Sequence, residues 1–315
     1  MKVTLASGRV TVRPALSVGL ANFGPWIPDP RDLLDVARAA EDAGVDRIVV
    51  ADHVVLGAHT EKYAWGTFPG TPDWPWHEPL TVLTAIAAVT SRVRLQTGIL
   101  IAPLRPAALL AKTVATLDQL SGGRIDLGVG TGWQEEEFTA QGLDHARRGA
   151  LLTDTMRACR ALWTQLPATY EWDGQTVTDI YCSPQPAQSP LPVWFSGNMI
   201  PANVERLVEL GDGWLPIMGA TADDIAAGLQ RLTAAAAERG RDLTGFDVQA
   251  PMPMVKSDRS GGTGVDIDAS VAGIGPLLDA GVTNLHLTLR AVSRDADDAV
   301  ASLPRWVDAL AKASA

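Results

Sequence analysis

The chain has 315 residues, 46% hydrophobic and 20% charged, a composition that excludes a disordered protein and allows a large core. Its formal charge of −10 argues against nucleic acid or an anionic membrane as partner, since both need a basic surface; a small molecule, even an anionic one held by backbone N–H groups, remains compatible. No stretch approaches the roughly 18 apolar residues of a membrane span, Met1 to Pro14 lacks an apolar signal region, and Cys159 and Cys182 show neither metal nor CxxC spacing, so a cytoplasmic protein with free thiols is expected.

Residues 1–14 read as an N-terminal extension to one domain covering 1–315. Leu16–Phe23 reads as the first strand, and Asp29-Pro30 as the N-cap and first turn of a helix ending at Gly44. Arg47–Ala51 is a short buried strand. A loop rich in Pro, Gly and Trp follows, from about Asp52 to His77. Glu78–Ser91 is helical, Val93–Leu100 a strand, Ala107–Leu120 helical and Arg124–Val129 a strand. Helices are expected near Gln134–Gln141 and Arg147–Trp163. A hairpin then turns at Asp173-Gly174, a type I′ signal. It does not fit a strand–helix repeat, so about 167–190 reads as an insertion. Val193–Ser196 and Gly213–Pro216 are strands, with a helix at Ala202–Leu210 between them. Thr221 caps a helix running to Arg239. Phe246–Val255 is a strand, although Pro253 weakens it. Asp268–Ala280 is helical, Thr283–Leu289 a strand and Asp295–Ala313 a helix.

Alternating strands and helices imply a parallel sheet. Eight core strands exceed the five or six of an open doubly wound sheet, and 315 residues accommodate a (β/α)8 TIM barrel, which takes about 250. An active site is then expected in the loops after the strands.

Four of those loops carry candidate chemistry. After strand two, Asp52-His53 can exchange a proton near neutral pH; the same pair can equally cap a loop carbonyl. After strand four, Gly130-Thr131-Gly132-Trp133 suits an anion approaching backbone N–H groups, or is simply a tight turn. Trp133 occupies the position where a Rossmann fingerprint needs Gly, and no GK[ST] follows. Ser196-Gly197-Asn198 after strand five suits a phosphate or ordinary helix capping. Gly98 at the end of strand three suggests a bulge. Trp65, Trp74 and Trp76, with Tyr63 and Phe68, can wall an apolar substrate pocket or anchor a long loop. His286 in strand eight reads as a core His or a site His alike. No GxSxG or HExxH motif is present, and the five histidines show no tight metal spacing, so no metal is expected.

In combination VGLANFGP (18–25), ARAAEDAGVDRIVVADHVV (37–55), PWHEPLTVLTAIAAVTSRVRLQTGIL (75–100), PAALLAKTVATLDQLSGGRIDLGVGTGW (106–133), WFSGN (194–198) and LGDGWLP (210–216) make the chain resemble the bacterial-luciferase-like superfamily, above all its F420-dependent branch. The likeness is good over about 16–220. It implies a TIM barrel with an insertion, and an oxidoreductase exchanging a hydride between coenzyme F420 and a small organic substrate. It places His53 and Asp52 beside the redox ring, with His53 as the proton site. It implies a non-proline cis peptide at Gly98-Ile99, bulging behind the ring. It puts Gly130, Thr131 and Gly132, beside Trp133, together with Ser196, Gly197 and Asn198, along the cofactor tail. It also implies a homodimer. One departure matters: the sugar-phosphate branch carries Glu where Trp133 stands, so that activity is not carried over, and the aromatic loop suggests an apolar or aromatic substrate. The rival readings are an FMN-dependent monooxygenase using reduced flavin and O2, a non-catalytic flavin-binding protein, and a barrel hydrolase or lyase.

Overall fold

Short, aliphatic-rich runs such as Arg47–Val50, buried along its whole length, pair side by side into one parallel sheet. The computed structural model describes residues 13–172, 174–257 and 263–313. Its strands are β1 (Ala15–Leu20), β2 (Arg47–Val50), β3 (Arg94–Thr97), β4 (Leu100–Ile101), β5 (Ile125–Gly130), β6 (Ala168–Trp172), β7 (Gln175–Ile180), β8 (Val193–Ser196), β9 (Gly213–Leu215), β10 (Asp247–Pro251) and β11 (Asn284–Thr288). Its helices are α1 (Asp32–Ala43), α2 (Pro79–Val89), α3 (Ala107–Ser121), α4 (Glu135–Ala140), α5 (Arg148–Thr164), α6 (Pro201–Leu210), α7 (Ala222–Glu238), α8 (Ile267–Ala272), α9 (Gly275–Asp279), α10 (Leu289–Val292) and α11 (Ala296–Ala313).

The main sheet runs β3-β2-β1-β11-β10-β9-β8-β5-β4, and β3 also pairs with β5. Taking β3 and β4 as one interrupted stave, this is a closed barrel of eight parallel strands, the expected (β/α)8 architecture. The antiparallel pair β6–β7 forms a separate sheet outside it. The expected Asp173-Gly174 turn lies half outside the described residues; Gly174 itself has φ 74°. No helix among the described residues is long and apolar enough to cross a membrane.

Outward residues of the strands meet the helices. Leu16 and Val18 are fully buried there, as are Ala37 and Ala40 of α1, with Leu33 and Val36 almost so. Burying each Leu or Val contributes roughly 1.5–3 kcal/mol. Gly44 ends α1 at φ 88°, where it closes the last turn with bonds to Ala40 and Glu41 carbonyls. Thr221 and Asp224 form a reciprocal capping box on α7.

Several boundaries differ from the sequence reading, and the first strand ends at Leu20 rather than Phe23. Helix α1 starts at Asp32, because the Asp29 carboxylate accepts the Arg31 N–H at 2.9 Å and makes a turn ahead of the helix. The third stave is broken rather than continuous over Val93–Leu100. Strand β10 stops at Pro251, before Pro253. The single helix expected over Asp268–Ala280 is two, α8 and α9, parted at Gly273; the short α10 was not foreseen.

Inside, the pairing register and the shear of a TIM barrel stack side chains in layers of four from alternate strands. At the N-terminal end lie Arg47, Asp126, Gly213 and Asn284. Ser17, Gln96, Trp194 and Gln249 follow, then Val49, Gly128, Leu215 and His286. The uppermost layer is Gly19, Gly98, Ser196 and Pro251. Contacts agree with this stacking. A Cβ on Gly213 would lie 2.4 Å from Trp194, one on Gly98 2.3 Å from Val49, and one on Gly19 2.9 Å from His286.

Candidate active site

The uppermost layer sets the site. Two glycines, a serine and a proline give the barrel mouth a flat floor without bulky side chains. Gly98 and Pro251 are exposed and Gly19 and Ser196 half-buried, so the floor is open. The Gly98–Ile99 peptide is cis. The register against β5 slips by one residue there: Gln96 faces Asp126, while Leu100 faces Val129. The third stave therefore bulges at the floor. The glycines of the next stave accommodate that bulge. A Cβ on Gly130 would lie 2.9 Å from Ile99, and one on Gly132 2.7 Å from Ile101. Gly132 also holds φ 74°, which a side-chain-bearing residue rarely adopts. The Gly-rich stretch thus has a packing reason independent of any anion.

His53 stands at the end of β2 with its side chain 9% exposed. Its Nδ1 lies 2.9 Å from Glu137 Oε2, and Glu137 is fully buried. The other Glu137 oxygen accepts the Val54 N–H at 3.0 Å. A carboxylate on Nδ1 fixes the imidazole tautomer and leaves Nε2 to accept or return a proton. Aromatic rings surround the imidazole: Trp76 at 4.5 Å, Phe68 at 5.6 Å and Trp133 at 6.2 Å between centroids. Tyr63 meets both Phe68 and Trp133, and Trp76 stacks on Phe23 at 4.0 Å. Trp76 Nε1 and Trp133 Nε1 are buried without partners among the described residues.

Asp52 has a different part. Its carboxylate accepts the Ile101 N–H at 2.8 Å and both Arg105 Nη groups, at 2.7 and 3.0 Å. Arg105 also reaches Glu78 at 3.0 Å. Burial works against the Arg105 charge, but the Asp52 bonds outweigh it and raise its pKa. All the geometry around Asp52 ties β2 to the strand beyond the bulge, and Arg105 is the partner that the sequence reading did not name.

The remaining expected residues divide. Thr131 and Trp133 are half-buried at the mouth. At Ser196-Gly197-Asn198 the three carbonyls are taken by Asn203 and Trp214 side chains, and the Gly197 N–H by Leu215 O. The N–H groups of Asn198, Met199 and Ile200, ahead of α6, make no hydrogen bond among the described residues, so they are open to an anion. Trp76 lines the aromatic wall. Trp65 is 37% exposed and touches Tyr63 from outside. Trp74 packs on the backbone at Gly24 and Gly70, where a Cβ would come within 2.4 and 2.7 Å; it anchors the loop. Glu137 escaped the sequence reading because it is the third of three adjacent glutamates, and only the phase of α4 sends it inward. Among the described residues no three His, Cys, Asp or Glu groups are placed to share a metal ion.

The family model described as luciferase-like monooxygenase matches residues 5–260. An uncharacterized protein of Mycobacterium tuberculosis is 32% identical over 227 residues, 69% of this chain and 79% of that one. The FMNH(2)-dependent dimethylsulfone monooxygenase of Pseudomonas putida is 34% identical over 167 residues, 52% of this chain and 46% of its own. The F420-dependent glucose-6-phosphate dehydrogenase of Amycolatopsis mediterranei is 30% identical over 194 residues, 60% and 54%. Among solved structures, an F420-dependent secondary alcohol dehydrogenase superposes with a TM-score of 0.76 at 17% identity, covering 95% of this chain and 99% of that one. The monooxygenase RslO1 of Streptomyces bottropensis does so at 0.74 and 20%, covering 96% and 100%. With most of its length matched by the family model and a full barrel beneath the matched segments, the chain belongs to the luciferase-like monooxygenase family.

Proposed function

We propose that this chain exchanges a hydride between coenzyme F420 and a small organic substrate. The observation that carries the reading is the open floor of Gly19, Gly98, Ser196 and Pro251 beside the Glu137-clamped His53. A flat floor without bulky side chains, set against an aromatic wall, fits a planar tricyclic ring on its Gly98 side. Gly98 and Ile99 would lie against the ring. Thr131, Gly132 and Trp133, with Ser196, Gly197 and Asn198, would hold the tail, its anionic groups on the free N–H groups before α6. The bound deazaflavin supplies hydride chemistry.

The protein's own part is orientation, exclusion of water and a proton site. His53 Nε2 holds or releases the proton, and Glu137 keeps the ring turned toward the mouth. Asp52 acts through Arg105 and the Ile101 N–H, as the brace of the bulge. Trp65 and Trp76 would line the substrate side; Trp74 serves the loop fold.

FMN is the second reading, supported by the 34% identity to an FMNH(2)-dependent enzyme. Absorbance titration of the purified protein with both cofactors separates the two. Micromolar binding of F420 without FMN supports the first reading, the reverse the second, and binding of neither removes both. A His53→Ala protein is expected to bind cofactor and lose turnover; unchanged turnover would remove His53 from the chemistry.

A further inference from the structure

His286 is the one histidine of the barrel interior, in the layer just beneath the floor. Its Nδ1 lies 3.1 Å from Gln249 Nε2. That amide donates, which leaves Gln249 Oε1 as the buried atom without a partner; an unpaired buried acceptor is cheaper than an unpaired buried N–H. An imidazole that accepts at Nδ1 carries its proton on Nε2. The Nε2 edge points up at the gap in the floor, since a Cβ on Gly19 would sit 2.9 Å from both Cε1 and Nε2. Nε2 has no partner among the described residues, and the side chain stays half-buried although protein surrounds it, so it lies at the bottom of the open cleft.

We propose that His286 is a substrate-binding residue, its Nε2–H offered to the oxygen of an uncharged carbonyl or alcohol substrate lying over Gly19. This rests on the reading of the mouth as a redox cleft, and it names what that cleft takes. The donor is neutral: burial holds the His286 pKa down at about 4. Such a group provides a hydrogen bond but no counter-charge, so it suits a ketone or hydroxyl rather than a phosphate or carboxylate. Among the described residues three cations of the mouth loops are engaged elsewhere, and Lys256 is exposed. Arg105 and Lys62 pair with carboxylates, and Arg290 holds the Pro69 carbonyl and lies 5.2 Å over the Phe23 ring. The rim exposes apolar side chains, Trp65, Met218, Met254 and Val255. Gln249 is a positioning residue that sets the tautomer.

Acetophenone, its oxygen-free isostere α-methylstyrene, and benzoate serve as probes. They are titrated into cofactor-saturated protein by tryptophan fluorescence, with F420 or FMN occupancy read separately from cofactor absorbance. Wild type is expected to prefer acetophenone over both others by about tenfold, the size of one hydrogen bond in a dry site. His286→Leu is expected to erase the preference over α-methylstyrene while cofactor occupancy holds, and His286→Gln, which keeps an N–H, to restore part of it. With ring-15N histidine, acetophenone should shift the His286 Nε2 resonance and leave the Nδ1 resonance nearly still; Gln249→Leu should weaken that response. A preference that survives His286→Leu, or no acetophenone binding by wild type with cofactor bound, overturns the inference. Failure to bind either cofactor overturns the redox reading instead, and is seen in the absorbance before any probe is added.

Discussion

Each end of this barrel buries a carboxylate, and the two are treated oppositely. At the N-terminal end Asp126 takes Arg47 at 2.7 Å and Arg94 at 2.6 and 2.7 Å, and Arg47 lies 4.6 Å over the Trp194 ring. Burial alone would raise the Asp126 pKa, but the Arg47 charge and the Arg94 bonds win and lower it. Its partners among the described residues are permanent cations, which do not change charge near neutral pH. At the C-terminal end Glu137 takes a histidine, whose second nitrogen remains available. A buried acid paired with arginine makes a cross-brace, whereas one paired with histidine under an open floor can pass a proton. The difference lies in the partner and in what stands above it, since both acids are equally hidden.

The contrast predicts that the two ends fail in different assays. His53→Ala should lower turnover by about 100- to 10,000-fold, with a smaller stability loss than at the other end, because Glu137 keeps the Val54 N–H. Asp126→Ala should cost about 3–5 kcal/mol in urea unfolding, since it leaves the buried Arg47, which cannot neutralise, and the half-buried Arg94 without their carboxylate. Its surviving folded fraction should bind cofactor normally. Equal turnover losses in the two variants would erase the distinction.

A pH series sharpens it further. His286 is neutral in the fold, with a pKa of about 4 against an ordinary value of 6.5. The unfolded chain therefore binds this proton first. The stability contribution is complete above about pH 6.5 and is lost as pH falls toward 4, on the order of 3 kcal/mol in all. Unfolding midpoints at pH 7.5, 6 and 5 should fall less steeply for His286→Gln than for wild type. Glu41, held near 2 by the Ser91, Arg92 and Val93 N–H groups despite burial, loses its own contribution only below about 4.5; His145, also pushed down by burial, acts alike in both proteins, so the difference between their slopes isolates His286. Parallel slopes would show that His286 is not held neutral.

Smaller effects test the floor itself. Gly98→Ala drives a methyl to 2.3 Å from Val49 and should cost about 1–3 kcal/mol as overpacking. It should weaken cofactor binding as well, because the bulge must shift to relieve that contact; unaltered binding would mean that the ring does not lie there. Thr221→Ala, which removes the exposed α7 capping box, should cost about 1 kcal/mol with turnover unchanged.

Much of the architecture was legible in the chain. Val193–Ser196 is a strand with the expected limits, Gly44 and Thr221 end and start helices as their residue types require, and strand–helix alternation implied a parallel barrel. Asp52-His53 was visible as a pair. The separate fates of its members were not: Arg105 is 53 positions from Asp52 and Glu137 is 84 from His53. No local pattern marks such distant partners.

The alternation of apolar runs with amphipathic stretches, each a nearest-neighbour property of the backbone, was enough by itself to specify eight strands, their helices and the loops where chemistry could lie. Which glutamate of Glu135–Glu137 turns inward, which Trp lines a wall and which anchors a loop, and whether His286 faces the helices or the cleft were decided only by closure of the sheet. Closure sets the register, and a shift of one residue along a strand sends every side chain to its opposite face.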